Sequence, residues 1–185
     1  MSKIYLQDSF KEFCEINKFD INAQQIEIIN SLEKFLNHKE TILSRFFKKE
    51  EKFCFYLHGK VGVGKTMLLN FAFDRLKIRK FRQHFNEFMI NFHNFRHEKK
   101  DNNTITDFVK RLKKNYDLLY LDEFQVTNIV DAMILGKLFE VIFEENIKII
   151  ITTNTKLHDL YKDGLQRDQF WPFSSLIENF SSEKE

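Results

Sequence analysis

The sequence is poor in the residues that punctuate, staple or anchor a chain. Proline occurs once, as Pro172, and no internal repeat divides the 185 residues, so one domain with a real core is expected. Cysteine occurs twice, and Cys14 and Cys54 lack the spacing of a metal or redox pair. Cys54 sits in an apolar run, where a reduced thiol acts as a small hydrophobe, which favours a reducing compartment. No apolar run approaches the ~20 residues of a membrane span. The start, Met1 to Asp8, has neither a signal core nor the Arg-rich, acid-free composition of a transit peptide, so a cytoplasmic protein is expected. Charge excess is also missing: 29 basic against 27 acidic residues leave +2, which disfavours nucleic acid as a partner. What remains, 43% hydrophobic and 30% charged, is ordinary globular composition, with 22 phenylalanines read mainly as core filler.

Glycine is scarce too, but three of the five glycines fall in one stretch, Gly59-Lys60-Val61-Gly62-Val63-Gly64-Lys65-Thr66. It fits G-x-x-x-x-G-K-[ST] at every fixed position. The apolar run Phe53–Leu57 before it reads as a buried strand, and Lys65 onward reads as a helix. Glycines let the backbone close around an anion with its N–H groups pointing inward, and the helix adds its own free N–H groups and positive dipole end. Lys65 then reaches the β- and γ-phosphates, and Thr66 offers a hydroxyl to Mg²⁺. This is a nucleoside-triphosphate site.

The rest of the chain alternates helix and strand. Residues 1 to 20 read as an N-terminal extension with Tyr5, Phe10, Phe13 and Phe19 as aromatic anchors. Asn22-Ala23-Gln24-Gln25 approximates a capping box before a helix of about four turns ending near Asn37. The polar stretch 38–51 reads as a short helix and loop. After the loop helix, Lys65 to Leu76, a strand is expected at Lys80–Phe85, helices from Glu87 to His97 and from Thr104 to Asn115, and a buried strand at Leu118–Leu121. A helix from Asp131 to Asn146, a strand at Lys148–Thr153, a helix near Leu157–Lys162 and an amphipathic end at Trp171–Phe180 complete it. Such alternation predicts a parallel sheet with helices on both faces.

Parallel sheets place ligands beyond the carboxyl ends of their strands. There the third strand delivers Asp122 and Glu123: one acid can hold Mg²⁺ through its water shell and the next can polarise an attacking water. The fourth strand delivers Thr153 and Asn154, where a polar side chain can orient that water. His93 and His97 share an i,i+4 helix face but lack a third ligand, so a partly solvated face is expected rather than a metal site. Lys77, Arg79, Lys80 and Arg82 form a basic cluster read as a solvated strand edge.

The run Tyr120-Leu121-Asp122-Glu123-Phe124-Gln125-Val126-Thr127-Asn128-Ile129-Val130-Asp131-Ala132-Met133-Ile134-Leu135 resembles the Walker B region of the ZapE/AFG-like (LACE-type) family of AAA+ ATPases. The stretches Gly59–Leu68, His84–Met89 and Leu160–Arg167 agree. Val63, Asn86 and Asn128 depart from the family's usual basic residue, histidine and aspartate, without removing a group the chemistry requires. The resemblance implies a P-loop NTPase (AAA+) α/β fold, a three-layer αβα core with a parallel sheet. It implies an ATP- and Mg²⁺-dependent ATPase that assembles as a ring and acts on protein partners, with a division apparatus at the inner membrane face as one candidate. Lys65 and Thr66 would be Walker A, Asp122 and Glu123 Walker B, Asn154 sensor one and Arg167 the arginine finger. Family members are longer, so residues 1–51 are taken as an N-terminal extension and helix, and 52–185 as a core truncated before its last strand and lid. That would leave Phe53–Leu57 as a sheet edge prone to pairing with another chain. A split or truncated nucleotide-binding module with little turnover is the alternative, and a DNA-linked helicase loader a weaker third reading.

Overall fold

The computed structural model describes residues 5–37, 52–99 and 103–185. The expected helix and loop at 38–51 lie outside the described residues. In chain order the elements are α1 (Gln7–Asn17), α2 (Ala23–Asn37), β1 (Cys54–His58), α3 (Lys65–Arg75), β2 (Lys80–His84), α4 (Phe85–Lys99), α5 (Thr104–Asn115), β3 (Leu118–Asp122), α6 (Ile129–Glu144), β4 (Lys148–Thr153), α7 (Trp171–Phe180) and β5 (Ser181–Lys184). Short 3-10 turns occupy Leu157–Asp159 and Arg167–Phe170, the first replacing the longer helix expected there.

All strand pairs are parallel, in the order β2-β3-β4-β1-β5. The expectation that the chain stops before a strand beside β1 is overturned. Cys54 pairs with Ser181 and Leu57 with Lys184, so β1 lies inside the sheet between β4 and β5 and is not an edge. Phe53 N–H also donates to the Phe180 carbonyl at 2.8 Å, extending the same ladder.

Strand alternation sends side chains to two apolar layers. Phe55, Leu57, Leu118, Tyr120 and Ile150 face α1, α2 and α3, while Cys54, Tyr56, Leu119, Leu121, Ile149 and Ile151 face α4 to α7. The N-terminal helices thus belong to the first layer. Phe10 is buried edge-on against Phe71 with ring centroids 5.0 Å apart, and Phe13 tilts against Phe71 at 4.9 Å. Tyr5 and Phe19, expected as anchors, are instead 66% and 47% exposed.

In the second layer Phe124, just beyond β3, stacks on Phe173 of α7 at 5.6 Å and meets Phe139 of α6 edge-on at 6.1 Å. All three are fully buried, each contributing on the order of 2 kcal/mol by burial. This aromatic wedge fixes the segment that leaves β3, and therefore the two carboxylates at its end.

Candidate functional site

The ends of three strands and one loop converge. His58 at the end of β1 pairs in register with Thr153 of β4, and Leu121 of β3 pairs with Ile151, so Asp122 ends up level with Thr152. The loop from Gly59 crosses above them. Gly62 and Gly64 hold φ of 83° and 86°, a region that L side chains rarely occupy, and Gly64 leads directly into α3. A cavity of about 520 Å³ opens there, lined by Val61, Gly62, Gly64, Lys65, Thr66, Met67, Asp122, Glu123, Gln125, Thr152, Thr153 and Asn154. Its size suits a small-molecule ligand, for which about 300–1,000 Å³ is typical.

The Lys65 ammonium donates to the carbonyls of Gly59 at 2.6 Å and Lys60 at 2.8 Å, and to Asn154 Oδ1 at 3.0 Å. Burial pushes its pKa below the ordinary lysine range, and the Asp122 charge pulls it partly back. Asp122 is 3% exposed. Its Oδ1 accepts from the Thr152 hydroxyl and from the Glu123 N–H at 3.1 Å, and its Oδ2 accepts from Arg82 Nη2 at 2.5 Å. Desolvation raises the carboxyl pKa, but the Thr152 and Arg82 bonds, the Arg82 charge and the Glu123 N–H together hold it below the usual carboxylate range. Glu123 follows with φ of 53°, and its exposed carboxylate lies 3.8 Å from His84 Nδ1. Thr153 Oγ1 donates to the Phe124 carbonyl at 2.7 Å, tying β4 to the segment after β3.

A second cavity, about 390 Å³, lies on the other flank of the loop. Gly59, Lys60, Val63, Gly64 and Lys65 line it from one side, Asn22, Gln24, Gln25 and Ile28 from α2 and its cap, and Glu185 from beyond β5. Asn22 caps α2 by accepting from the Gln24 N–H at 2.8 Å. The return bond of a capping box is not made: Gln25 Oε1 is buried with no hydrogen-bond partner among the described residues.

The eight loop residues, Asp122, Glu123 and Asn154 are therefore distributed over two adjoining cavities, as the strand-end argument expects. Arg167 is not among their lining residues; its Nη2 donates to the His158 carbonyl at 2.9 Å. Among the described residues no group of three or more His, Cys, Asp and Glu gathers for a metal. His93 instead contacts Asp131 Oδ1 at 2.7 Å and ties α4 to α6. A divalent ion that keeps several waters needs fewer protein oxygens, and Thr66 and Asp122, which share the larger cavity, fit that donor set.

A model of the AFG1-like ATPase family matches residues 7–182, from α1 into β5. The chain belongs to the AFG1-like ATPase family. Among curated relatives, lactation elevated protein 1 homolog B of Danio rerio is 32% identical over 172 residues, covering 86% of this chain and 34% of its own length. Cell division protein ZapE of Escherichia coli K12 is 37% identical over 124 residues, covering 66% of this chain and 33% of its own. The AFG1-like chain thus spans about a third of the length of these relatives. Solved structures with the same fold include the DnaC helicase loader, with TM-score 0.61, 19% identity and coverage of 91% of this chain and 94% of that one. DnaI gives TM-score 0.59 and 23% identity over 92% of this chain and 89% of that one. These likenesses show the shared α/β fold, a parallel sheet flanked by helices.

Within this AFG1-like site several residues escaped the sequence reading. Gln125 lies in the quoted Walker B run and Thr152 directly precedes Thr153, so both were within reach of the strand-end argument. Gln25 carries only a capping-box signal, which does not point to the cavity. The basic cluster is not a free patch either. Arg79 chelates Asp117 at 2.8 and 2.7 Å, Lys80 Nζ donates to the Phe73 and Asp74 carbonyls, and Arg82 holds Asp122. Asn128 caps α6, its side chain accepting from the Asp131 N–H at 2.8 Å.

Proposed function

We propose that this chain binds ATP with Mg²⁺ and hydrolyses it at the cavity between the Gly-rich loop and the ends of β3 and β4. One observation carries the reading: Lys65, Thr66, Asp122, Glu123 and Asn154, from three separate segments, line a single cavity whose rim is a glycine loop entering a helix. The triphosphate lies along the loop, with Lys65 against the β- and γ-phosphates and the base in the adjoining cavity beside α2. Thr66 and Asp122 hold the ion, directly or through its water. The ion, when bound, neutralises charge on the β- and γ-oxygens. Glu123 takes the proton of the attacking water, and Asn154 orients that water.

In this reading Arg167 is a finger, which would act on the nucleotide of a neighbouring subunit in a homo-oligomeric ring. The relative named a cell division protein suggests protein partners, which for this chain we extend to a division apparatus at the inner face of the membrane, approached from the cytoplasm. No helix among the described residues is long and apolar enough to cross a membrane. A second reading, nucleotide binding with little turnover, is favoured by the Glu123 carboxylate, whose side chain is 76% exposed and lies 3.8 Å from His84 Nδ1.

Glu123→Gln separates the two. Under the first reading it keeps ATP bound and lowers steady-state phosphate release by about a hundredfold or more, the scale of a lost general base. A variant that releases phosphate at the wild-type rate would contradict the role given to Glu123.

A further inference from the structure

Asp122 is held by three donors, and one of them comes from outside the nucleotide-binding elements. Arg82 lies on β2, the outermost strand, in register with Tyr120 of β3. Alternation puts Arg82, Tyr120 and Asp122 on one face, the face covered by α3. The guanidinium carbon stands 5.0 Å from the centroid of the Tyr120 ring, and Nη2 meets Asp122 Oδ2 at 2.5 Å. Arg82 does not line the 520 Å³ cavity, so it reaches the carboxylate from behind.

A carboxylate has about four lone-pair sites. The Thr152 hydroxyl and the Glu123 N–H occupy those of Oδ1, and Arg82 occupies one of Oδ2. One site on Oδ2 is left, on an atom that, among the described residues, Arg82 alone pins. We propose that Arg82 is a positioning residue that fixes the Asp122 carboxylate so that its remaining lone pair serves the divalent ion. The inference rests on the reading that Asp122 faces that ion.

Two effects of Arg82 oppose each other. Its positive charge repels a cation, and its hydrogen bond orients the ligand. The side chain is 34% exposed, so solvent and salt screen the repulsion. The orienting bond is charge-assisted and made to a side chain only 4% exposed. Outer-shell partners of this kind change metal affinity by about 10–100-fold. Orientation therefore outweighs repulsion, and removing Arg82 weakens the ion.

The test measures the affinity of a fluorescent ATP analogue with Mg²⁺ and with EDTA, in wild type and in the Arg82→Gln, Arg82→Lys and Asp122→Asn variants. Asp122→Asn should lose most of the Mg²⁺-dependent gain in affinity. If it keeps the gain, the reading of Asp122 itself fails, and the role of Arg82 falls with it. With that reading intact, Arg82→Gln should bind within about twofold of wild type in EDTA and lose about tenfold of the Mg²⁺-dependent gain. Arg82→Lys, which keeps the charge but not the planar fork, should lose less than Arg82→Gln. An equal loss with and without Mg²⁺ would mean a merely structural role, and an unchanged or increased gain would mean that Arg82 does not position the ligand. If Arg82→Gln does not fold, Arg82→Lys decides between the same outcomes by whether its own gain is reduced.

Discussion

Lys65 Nζ, at the start of α3, donates to Asn154 Oδ1, just beyond β4, over 3.0 Å. The bond joins the lysine of the loop to the polar residue that the strand order places next to it. Under the proposed chemistry Asn154 orients the water and contributes little to holding nucleotide. Asn154→Ala should change ATP affinity by less than about threefold and slow turnover by about a hundredfold, the scale of one lost transition-state donor. Parallel titration and phosphate-release measurements check it; an affinity loss as large as the rate loss would mean that Asn154 acts on binding.

Gly164 is required by packing. A Cβ built there would lie 2.2 Å from Tyr161 Cζ, against a ring that is 9% exposed and whose hydroxyl donates to the Leu165 carbonyl at 2.9 Å. Gly164→Ala must push the ring out of the second apolar layer. Thermal unfolding should show a loss of about 1–3 kcal/mol, the usual scale of overpacking. An unchanged midpoint would mean that the Tyr161 turn gives way freely.

Arg79 and Asp117 predict a pH dependence. The Arg79 hydrogen bonds, outweighing partial burial, hold the Asp117 carboxyl below its ordinary range. A folded-state pKa that is depressed contributes stability above the unfolded-state value, and the contribution is lost as pH falls through the folded-state value. The pair is well exposed, so Arg79→Gln should lower stability only slightly at neutral pH. The deficit should shrink once pH falls below about 4, the unfolded carboxyl value. Denaturant titrations across that range check the sign, and a deficit that grows on acidification would contradict it.

Four of the five described strands were legible in the sequence: β2 as a short strand at Lys80–Phe85, and three by a continuous apolar run with a ligand loop at its end. β1, β3 and β4 have both, and β4 matches its expected bounds of Lys148–Thr153. β5 has neither: Ser181-Ser182-Glu183-Lys184 is polar, four residues long and paired on one side only, and nothing in its composition distinguishes it from a tail. The strand exists because α7 delivers it beside β1, and Glu183 then contacts His58 Nε2 at 3.2 Å. Likewise, strand ends named Asp122 and Asn154, but the bond from Arg82 to Asp122 depends on the register of β2 against β3, which no local pattern encodes.

Arg167, at the 3-10 turn before α7, stands outside the lining of both cavities in its own chain. A finger acting on a neighbouring subunit requires this. Arginine fingers contribute about 10³–10⁵ in rate. Arg167→Ala and Lys65→Ala should each be inactive alone and recover turnover when mixed at concentrations where subunits associate. A mixture as inactive as its components would count against action between subunits.

Under the proposed chemistry the Gly59–Thr66 loop holds the phosphates of ATP, and direct titration of wild type and Lys65→Ala with a fluorescent ATP analogue and Mg²⁺ tests it. Lys65→Ala removes the only ammonium among the residues lining the larger cavity. Loss of a charge-assisted bond to phosphate, about 2–3 kcal/mol, predicts an affinity lower by about 30- to 150-fold with the fold intact. Equal affinity in the two proteins would show that nucleotide, if bound at all, is held elsewhere.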